Sequence, residues 1–362
     1  MTTKEHHRDA VASVTAQIMD DTPLDQELEP GTIIDDYEII SKLGSGAMAI
    51  VYLAEQTDLG RKVALKVLKS SLAQNEEYVS RFFNEARAAA SLSHPNIIQA
   101  YKAGETEDGT YFFCMEYIEG DSLLDMIKAK GRIPLDEALP LFIEVADALD
   151  YGWQNHRFTH GDIKPENIMV TTRGQAKLAD FGLAKVEGSA FEGTEVMLTP
   201  LYAAPELIKS DHAPNNCRAD IYAFGATLYH ALAGTPPLPG NDAQTVMDKQ
   251  LHENPEPLRL KCPEVPRILS DMVAKTLIKD PEKRLQSWKE ILETLKEVSQ
   301  NAASRTSSKL TLPPKSAKPK AFMRREEPKK STAWIVVFSI IGAAMLALFG
   351  ACIYFAIGNS GG

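Results

Sequence analysis

Three short runs, residues 37–43, 50–55 and 62–68, alternate apolar and polar side chains and are separated by turns that carry glycine. A period of two with glycine at the turns predicts a small antiparallel sheet. The period then changes: across residues 76–92, Val79, Phe82, Phe83, Ala86 and Ala90 recur at helical spacing, which predicts one helix with those side chains facing inward. Residues 111–117 return to an apolar strand. Beyond it the helical period takes over, first briefly over 121–129 and then over 135–155, where Leu139, Phe142, Ile143, Ala146 and Leu149 share a face. Helical patterning continues to about residue 299. The chain therefore divides into a small β-rich lobe followed by a larger helical one, an α+β order with two lobes.

The two ends have a different texture. Residues 1–36 lack the charged start, apolar run and small-residue cleavage site of a signal peptide, and acidic residues crowd their second half (Asp20, Asp21, Asp25, Glu27, Glu29), so a flexible leader is expected, with one short helix over 10–19 an option. Residues 300–333 turn to Ser, Lys and Pro, the composition of a linker. An uncharged apolar run of about two dozen residues follows at 334–357. At about 1.5 Å per residue it is long enough to cross a hydrocarbon core of about 30 Å. We expect a single C-terminal membrane span. Nine basic and two acidic residues lie between Asn301 and Ala333, whereas residues 358–362 carry no charged side chain, so the positive-inside rule puts the large domain in the cytoplasm and leaves a short extracytoplasmic tail with no room for a sensor.

Composition narrows the partners. With 362 residues, 44% hydrophobic and 24% charged, the chain can bury a substantial core. Its net charge of −10 argues against nucleic acid as a partner. The four cysteines (Cys114, Cys217, Cys262 and Cys352) are far apart and show no metal-type spacing, as expected of reduced thiols. His6 and His7 are adjacent but have no third ligand near them in sequence.

The chemistry is concentrated in His160-Gly161-Asp162-Ile163-Lys164-Pro165-Glu166-Asn167, followed thirteen residues after Asn167 by Asp180-Phe181-Gly182. These residues supply two carboxylates, a cation and an amide across a short hairpin. Hard oxygen ligands at Asn167 and Asp180 suit a metal-bound polyphosphate, Asp162 can orient an attacking hydroxyl and accept its proton, and Lys164 can steady the transferring group. The stretch resembles the catalytic loop and metal-binding motif of protein kinases, with Gly161 where most of that family carry Arg. Small-molecule phosphotransferases of the aminoglycoside-kinase kind also use His-Gly-Asp followed by Asn, and pull the reading the other way. Three further stretches resemble the protein kinases. Leu43-Gly44-Ser45-Gly46-Ala47-Met48-Ala49-Ile50-Val51 resembles the glycine-rich loop, with Ala49 at its third glycine; Val63-Ala64-Leu65-Lys66 resembles the lysine-bearing strand; Thr199-Pro200-Leu201-Tyr202-Ala203-Ala204-Pro205-Glu206 resembles the peptide-docking segment, which small-molecule phosphotransferases lack.

The resemblance covers roughly residues 37–299 and implies a bilobal protein kinase-like fold, with Mg2+ and ATP as the metal and donor and Ser or Thr of proteins as the acceptor. Residue by residue, it implies catalysis by Asp162 and Lys164, Mg2+ held by Asn167 and Asp180, and nucleotide contacts from Leu43, Gly44, Gly46, Val51, Ala64, Lys66 with its helix partner Glu85, Met115, Glu116, Ile118 and Asn167. It casts Asp220 and the pair Arg284 and Glu206 as structural. Membrane-anchored bacterial Ser/Thr kinases that phosphorylate themselves, with a possible homo-oligomer, are the nearest description. A catalytically impaired scaffold is the alternative, suggested by Ala49, Gly161 and the small Ala89 one turn beyond Glu85, which predicts a looser helix. A small-molecule phosphotransferase is the other.

Gly161 carries its own expectation. In kinases with Arg at this position the guanidinium pairs with a phosphate on the activation segment, and glycine offers no such partner, so activity should depend little on phosphorylation between Gly182 and Thr199. Initial rates of phosphatase-treated enzyme and of Thr194→Ala should stay close to those of untreated enzyme. A fall of tenfold, roughly 1.4 kcal/mol of barrier, would show that another residue has taken over from the missing arginine.

Overall fold

The computed structural model describes residues 27–181, 200–209 and 216–309, with side chains described to residue 302. Its first layer is a six-stranded antiparallel sheet built from β1 (Ile33–Ile34), β2 (Tyr37–Ser45), β3 (Ala49–Gln56), β4 (Arg61–Leu68), β5 (Ala100–Glu105) and β6 (Tyr111–Glu116), in the order β1-β2-β3-β4-β6-β5. The alternating runs of the sequence form its central strands, each extended by one or two residues. One face is closed by a core of Tyr37, Ile39, Tyr52, Val63, Leu65 and Phe112.

Helix α1 (Glu76–Ala90) packs on the other face. Its start is set locally: the Asn75 side chain accepts from the Glu77 N–H at 2.9 Å, and Glu76 and Glu77 lie in the first turn, where the helix dipole favours negative charge. The inward face is turned from the one predicted. Phe82, Glu85, Ala86 and Ala89 are buried, whereas Ala90 is exposed, because the helix rotates to carry the Glu85 carboxylate inward. Nor is the helix loose at Ala89, which is almost fully buried in a cluster with Phe82, Phe113, Phe158 and Phe181.

The second lobe begins with a correction. Residues 121–122 belong not to a helix but to strand β7 (Gly120–Ser122), which pairs with β8 (Ile168–Thr171), itself paired with β9 (Ala176–Leu178). The ladder wins there over helical patterning, and the helix α2 (Leu123–Lys130) starts where the Ser122 hydroxyl can cap the Asp125 N–H at 3.1 Å. Gly120 is needed at this crossing, since a Cβ would lie 1.9 Å from the Val170 carbonyl oxygen.

Helix α3 (Leu135–His156) buries the predicted Leu139, Phe142, Ala146 and Leu149, with Ile143 partly covered. Short α4 (Pro205–Lys209) precedes α5 (Arg218–Ala233), whose residues are almost all buried and form the axis of the lobe. Around it stand α6 (Ala243–His252), α7 (Leu258–Lys261), α8 (Arg267–Thr276) and α9 (Trp288–Lys309). The last of these runs past residue 299.

Cys114, Cys217 and Cys262 are buried free thiols. Among the described residues no helix is long and apolar enough to cross a membrane. The apolar run at 334–357, residues 1–26, Cys352, Gly182, Thr194 and Thr199 lie outside the described residues. The end of the expected leader is not a free arm: Ile33 and Ile34 pair with Glu38 and Tyr37, and Ile34 and Leu28 pack into the core of the sheet, because apolar side chains there find a β edge to join.

Candidate active site

Strand register assembles the first half of the site. Gly44 stands opposite Val51, Val51 opposite Lys66 and Lys66 opposite Phe113, while Ala64, two residues from Lys66, stands opposite Met115. Because side chains alternate faces along a strand, these residues share the face turned toward the second lobe. Leu43 falls at the register shift between Lys42 and Gly44 and is exposed. The Gly46 N–H closes the tip of the glycine-rich turn on the Ala49 carbonyl at 2.8 Å, and a Cβ at Gly44 would meet nothing within 4 Å. Ala49 lies inside β3 with its side chain in the core, so this third position needs no glycine here.

Lys66, only 9% exposed, is where three elements meet. Its ammonium lies 2.6 Å from Glu85 Oε1 on α1 and 3.1 Å from Asp180 Oδ1 beyond β9. One cation thus serves two carboxylates, and they respond differently. Burial, reinforced by the charge of Asp180, outweighs the pull of Lys66 and raises the Glu85 carboxyl to about 7. For Asp180 burial again acts upward, but the charge of the Lys66 ammonium, its hydrogen bond, and the charge of Lys164 override it and hold the group down at about 2. Burial pulls Lys66 itself down, yet the two carboxylates win and raise it. The outcome is an ionised Asp180 with its side chain 46% exposed and a buried Glu85 whose Oε2 has no hydrogen-bond partner among the described residues. Asp180 also sits at φ 61°, left-handed backbone that Asp tolerates better than most residues and that is concentrated at functional sites.

The catalytic loop is pinned from beneath. Asp220, buried at the start of α5, accepts from the backbone N–H of His160 at 2.7 Å and of Gly161 at 2.8 Å. Burial raises its carboxyl, against the opposing effects of His160 and of those two N–H groups. The His160 ring is held from both sides, with Nδ1 accepting from the Asp162 N–H at 3.3 Å and Nε2 donating to the Ala179 carbonyl at 3.1 Å. Gly161 stands at φ 79°, in the left-handed region that favours glycine. The Asn167 amide nitrogen donates to the Asp162 carbonyl at 2.8 Å and to Asp162 Oδ2 at 3.2 Å, which leaves its oxygen as the atom suited to a hard cation. Lys164 Nζ is 2.6 Å from Asp162 Oδ2. Hairpin register brings the two metal candidates together: Ile168 pairs with Leu178, and the Ala179 N–H donates to the Asn167 carbonyl at 2.8 Å.

Of the site residues expected from the sequence, Lys66, Glu85 and Asp180 meet through one ammonium, and Asp162, Lys164 and Asn167 meet through the Asp162 carboxylate. Ile118 is buried, and the Glu116 carboxylate is engaged by Lys177 at 2.8 and 2.9 Å, so any contact of Glu116 with a nucleotide base falls to its main chain. The link from Lys177 to Glu116, which ties β9 to β6, had no sequence signal, since the residues are 61 apart and the resemblance that marks Glu116 gives its side chain no partner. Arg284 grips Glu206 with two hydrogen bonds, at 2.7 and 3.0 Å, as the resemblance implied. The Tyr202 hydroxyl reaches His230 Nδ1 at 2.8 Å, a contact not foreseen.

Comparison with known proteins agrees with this geometry. The protein kinase domain family matches residues 37–295. The chain is 38% identical over 275 residues to a probable serine/threonine-protein kinase of Clostridium perfringens, covering 75% of this chain and 40% of that protein. It is 36% identical over 253 residues to the serine/threonine-protein kinase PrkC of Bacillus subtilis, covering 69% and 38%. Among solved structures, a double mutant of the kinase domain of Mycobacterium tuberculosis PknI superposes with a TM-score of 0.59 at 28% identity, covering 76% of this chain and all of that one. The chain spans about two fifths of the length of the curated relatives it matches.

Replacing Asp220 tests whether the loop depends on its buried anchor. Asp220→Asn keeps the shape but turns an amino group toward one of the two backbone donors, so one buried N–H loses its acceptor. We expect a loss of about 1–3 kcal/mol in a denaturant titration, together with slower phosphoryl transfer and an unchanged KM for ATP. Wild-type stability and rate would show that the loop holds itself.

Proposed function

The chain belongs to the protein kinase family, and from that premise we propose that it is a serine/threonine protein kinase, transferring the γ-phosphoryl group of ATP to Ser and Thr hydroxyls of polypeptides, itself among them. The observation that carries this reading is the meeting of Lys66, Glu85 and Asp180 beside a catalytic loop that presents Asp162, Lys164 and Asn167. A catalytically impaired scaffold would have had little reason to keep all six in register.

The residues fit the groups the family uses. An ionised, half-exposed carboxylate at Asp180 and an amide oxygen at Asn167 form a hard-oxygen donor pair suited to Mg2+. When bound, Mg2+ supplies charge neutralisation of the phosphates. Lys66, steadied by Glu85, offers its ammonium to the phosphates, and the glycine-rich turn offers backbone N–H groups with no side chain in the way. Asp162 accepts the proton of the attacking hydroxyl, while Lys164, already beside that carboxylate, counters charge at the transferring group.

A polypeptide acceptor is favoured over a small one by the docking segment. A small cavity is lined by Gly161, Asp162 and Ile163 of the catalytic loop and by Tyr202, Ala203 and Ala204, so that segment lies beside the catalytic loop. Its far end is fixed by the Glu206 to Arg284 pair. A surface of this kind has no use for a small alcohol.

We further propose that residues 334–357 form a single membrane span with the kinase domain on the cytoplasmic side, supported by the run's length and by the basic linker before it. Anchoring would gather copies in two dimensions and favour phosphorylation of one by another.

Two experiments test these readings. Asp162→Asn should abolish transfer while ATP still binds, whereas Asp180→Asn should also weaken Mg2+-dependent nucleotide binding; phosphoamino-acid analysis of a basic protein acceptor should return phosphoserine and phosphothreonine. Wild-type turnover in Asp162→Asn, or phosphotyrosine alone, would refute the assignment. For topology, the full chain should pellet with membranes and resist carbonate extraction, and protease outside intact cells should spare the kinase domain. Recovery in the soluble fraction or digestion of that domain would overturn it.

A further inference from the structure

Helix α6 buries only two side chains, Val246 and Gln250, and Gln250 is fully enclosed. A buried amide is destabilising unless its donors and its acceptor are all engaged, and here they are engaged in one direction. Gln250 Nε2 donates to the Leu201 carbonyl at 2.9 Å and to the Pro200 carbonyl at 3.2 Å. Its oxygen accepts from the Tyr222 hydroxyl of α5. The Tyr222 oxygen in turn accepts from Lys279 Nζ at 2.9 Å.

The polarity of this chain follows from its head. An ammonium can only donate, so Tyr222 must use its own hydrogen on Gln250. That requires the amide oxygen to face Tyr222 and the amino group to face the two carbonyls. A flipped amide would set an oxygen against two carbonyl oxygens. Lys279 and Arg284 lie 5.3 and 5.0 Å from the centroid of the Tyr222 ring, so two cations frame it. The position of Lys279 has a cost: burial, and then the charge of Arg284, lower it to about 8 against the opposing charge of Glu253. Arg284 meanwhile holds Glu206 at the other end of the docking segment. Leu201 is only partly buried, packed at the margin of the lobe's core, so the backbone that Gln250 grips lies at the surface of the docking segment.

We infer that Gln250, oriented by Tyr222 and Lys279, is a positioning residue that sets the backbone of the docking segment at Pro200 and Leu201 and thereby the affinity for a polypeptide acceptor. This deepens the protein kinase reading and rests on it. The hydrogen bonds of Gln250 run to the docking segment and to α5, not to the nucleotide cleft or the catalytic loop, so its influence should fall on the acceptor and not on ATP.

The test is steady-state kinetics of the full chain with myelin basic protein as acceptor. Gln250→Leu and Gln250→Glu should each raise the acceptor KM about tenfold, the second because a carboxylate cannot donate to carbonyls, with kcat within twofold and the KM for ATP unchanged. Tyr222→Phe should raise the acceptor KM several-fold by freeing the amide to turn over. Lys279→Met should do the same and Lys279→Arg, which keeps a donor, should restore the wild-type value. An acceptor KM at the wild-type value in folded Gln250 variants would overturn the inference, as would a parallel loss of kcat and ATP affinity, which marks a general structural role. Should the Gln250 variants fail to fold, the comparison of Lys279→Met with Lys279→Arg decides, and equal acceptor KM values in the two would sink the idea. A wild-type chain that phosphorylates no protein at all would instead refute the kinase reading itself.

Discussion

The Lys66 ammonium sits between two carboxylates drawn from opposite halves of the site, and the arrangement of both halves depends on it. Glu85 reaches it from a helix and Asp180 from the end of a hairpin in the other lobe, at 2.6 and 3.1 Å. A buried charge pair contributes little net stability when desolvation is counted, but removing one partner leaves the others unpaired and is strongly unfavourable. The triad therefore acts less as a source of stability than as a condition of register: strand, helix and hairpin must all be in place at once. The uneven titration follows from burial acting on a shared cation. With Lys66 shared between two carboxylates, the more enclosed Glu85 drifts toward its neutral form, and the half-exposed Asp180, which Lys164 also favours, stays ionised. That division leaves the negative charge on the residue that can reach a metal.

The second lobe uses the same device away from the chemistry. Asp220 is a buried carboxylate that does no reacting; it holds two consecutive N–H groups and so fixes the backbone that presents Asp162. Arg284, buried in turn, ties the docking segment to the helical core through Glu206. Catalytic precision is then shared with α5 and its neighbours, because they hold the backbone of the loops that carry the reacting groups. Gly161 fits this scheme. At φ 79° the backbone turns just past the second N–H that Asp220 holds, and a residue without a side chain makes that turn with least strain.

Much of this is legible in the sequence where chemistry and spacing coincide within a few residues. The loop from His160 to Asn167, the strand bearing Lys66 and the pairing of that lysine with Glu85 all follow from motifs. Errors arise where a local pattern competes with a distant partner. Ala90 looks inward because apolar spacing takes no account of a carboxylate as an inward-facing group, and the helix turns instead to seat Glu85. Asp121 and Ser122 read as helix but pair with Val170 and Met169, nearly fifty residues on. The engagement of Glu116 by Lys177 and of Pro200 and Leu201 by Gln250 cannot be read at all. Each joins residues dozens of positions apart, of types that occur everywhere on protein surfaces, and only the fold makes them neighbours.

Ala89 shows how tertiary packing can replace a side chain that the family pattern leads one to expect. A small residue one turn beyond Glu85 ought to leave a gap between helix and hairpin. Instead Ala89 is almost fully buried, and aromatic rings carry the contact around it: Phe181 lies 5.2 Å from the His160 ring and 5.7 Å from that of Phe158, centroid to centroid. Phe158 in turn belongs to the same cluster as Ala89 and Ala148, so volume removed from the helix is supplied by the start of the catalytic loop and by α3. Close packing of this kind depends on total volume and shape more than on which element provides them. The consequence for the site is that the seat of α1 rests on rings belonging to the catalytic loop and hairpin. A shift of Phe181 would then disturb the helix, and with it Glu85.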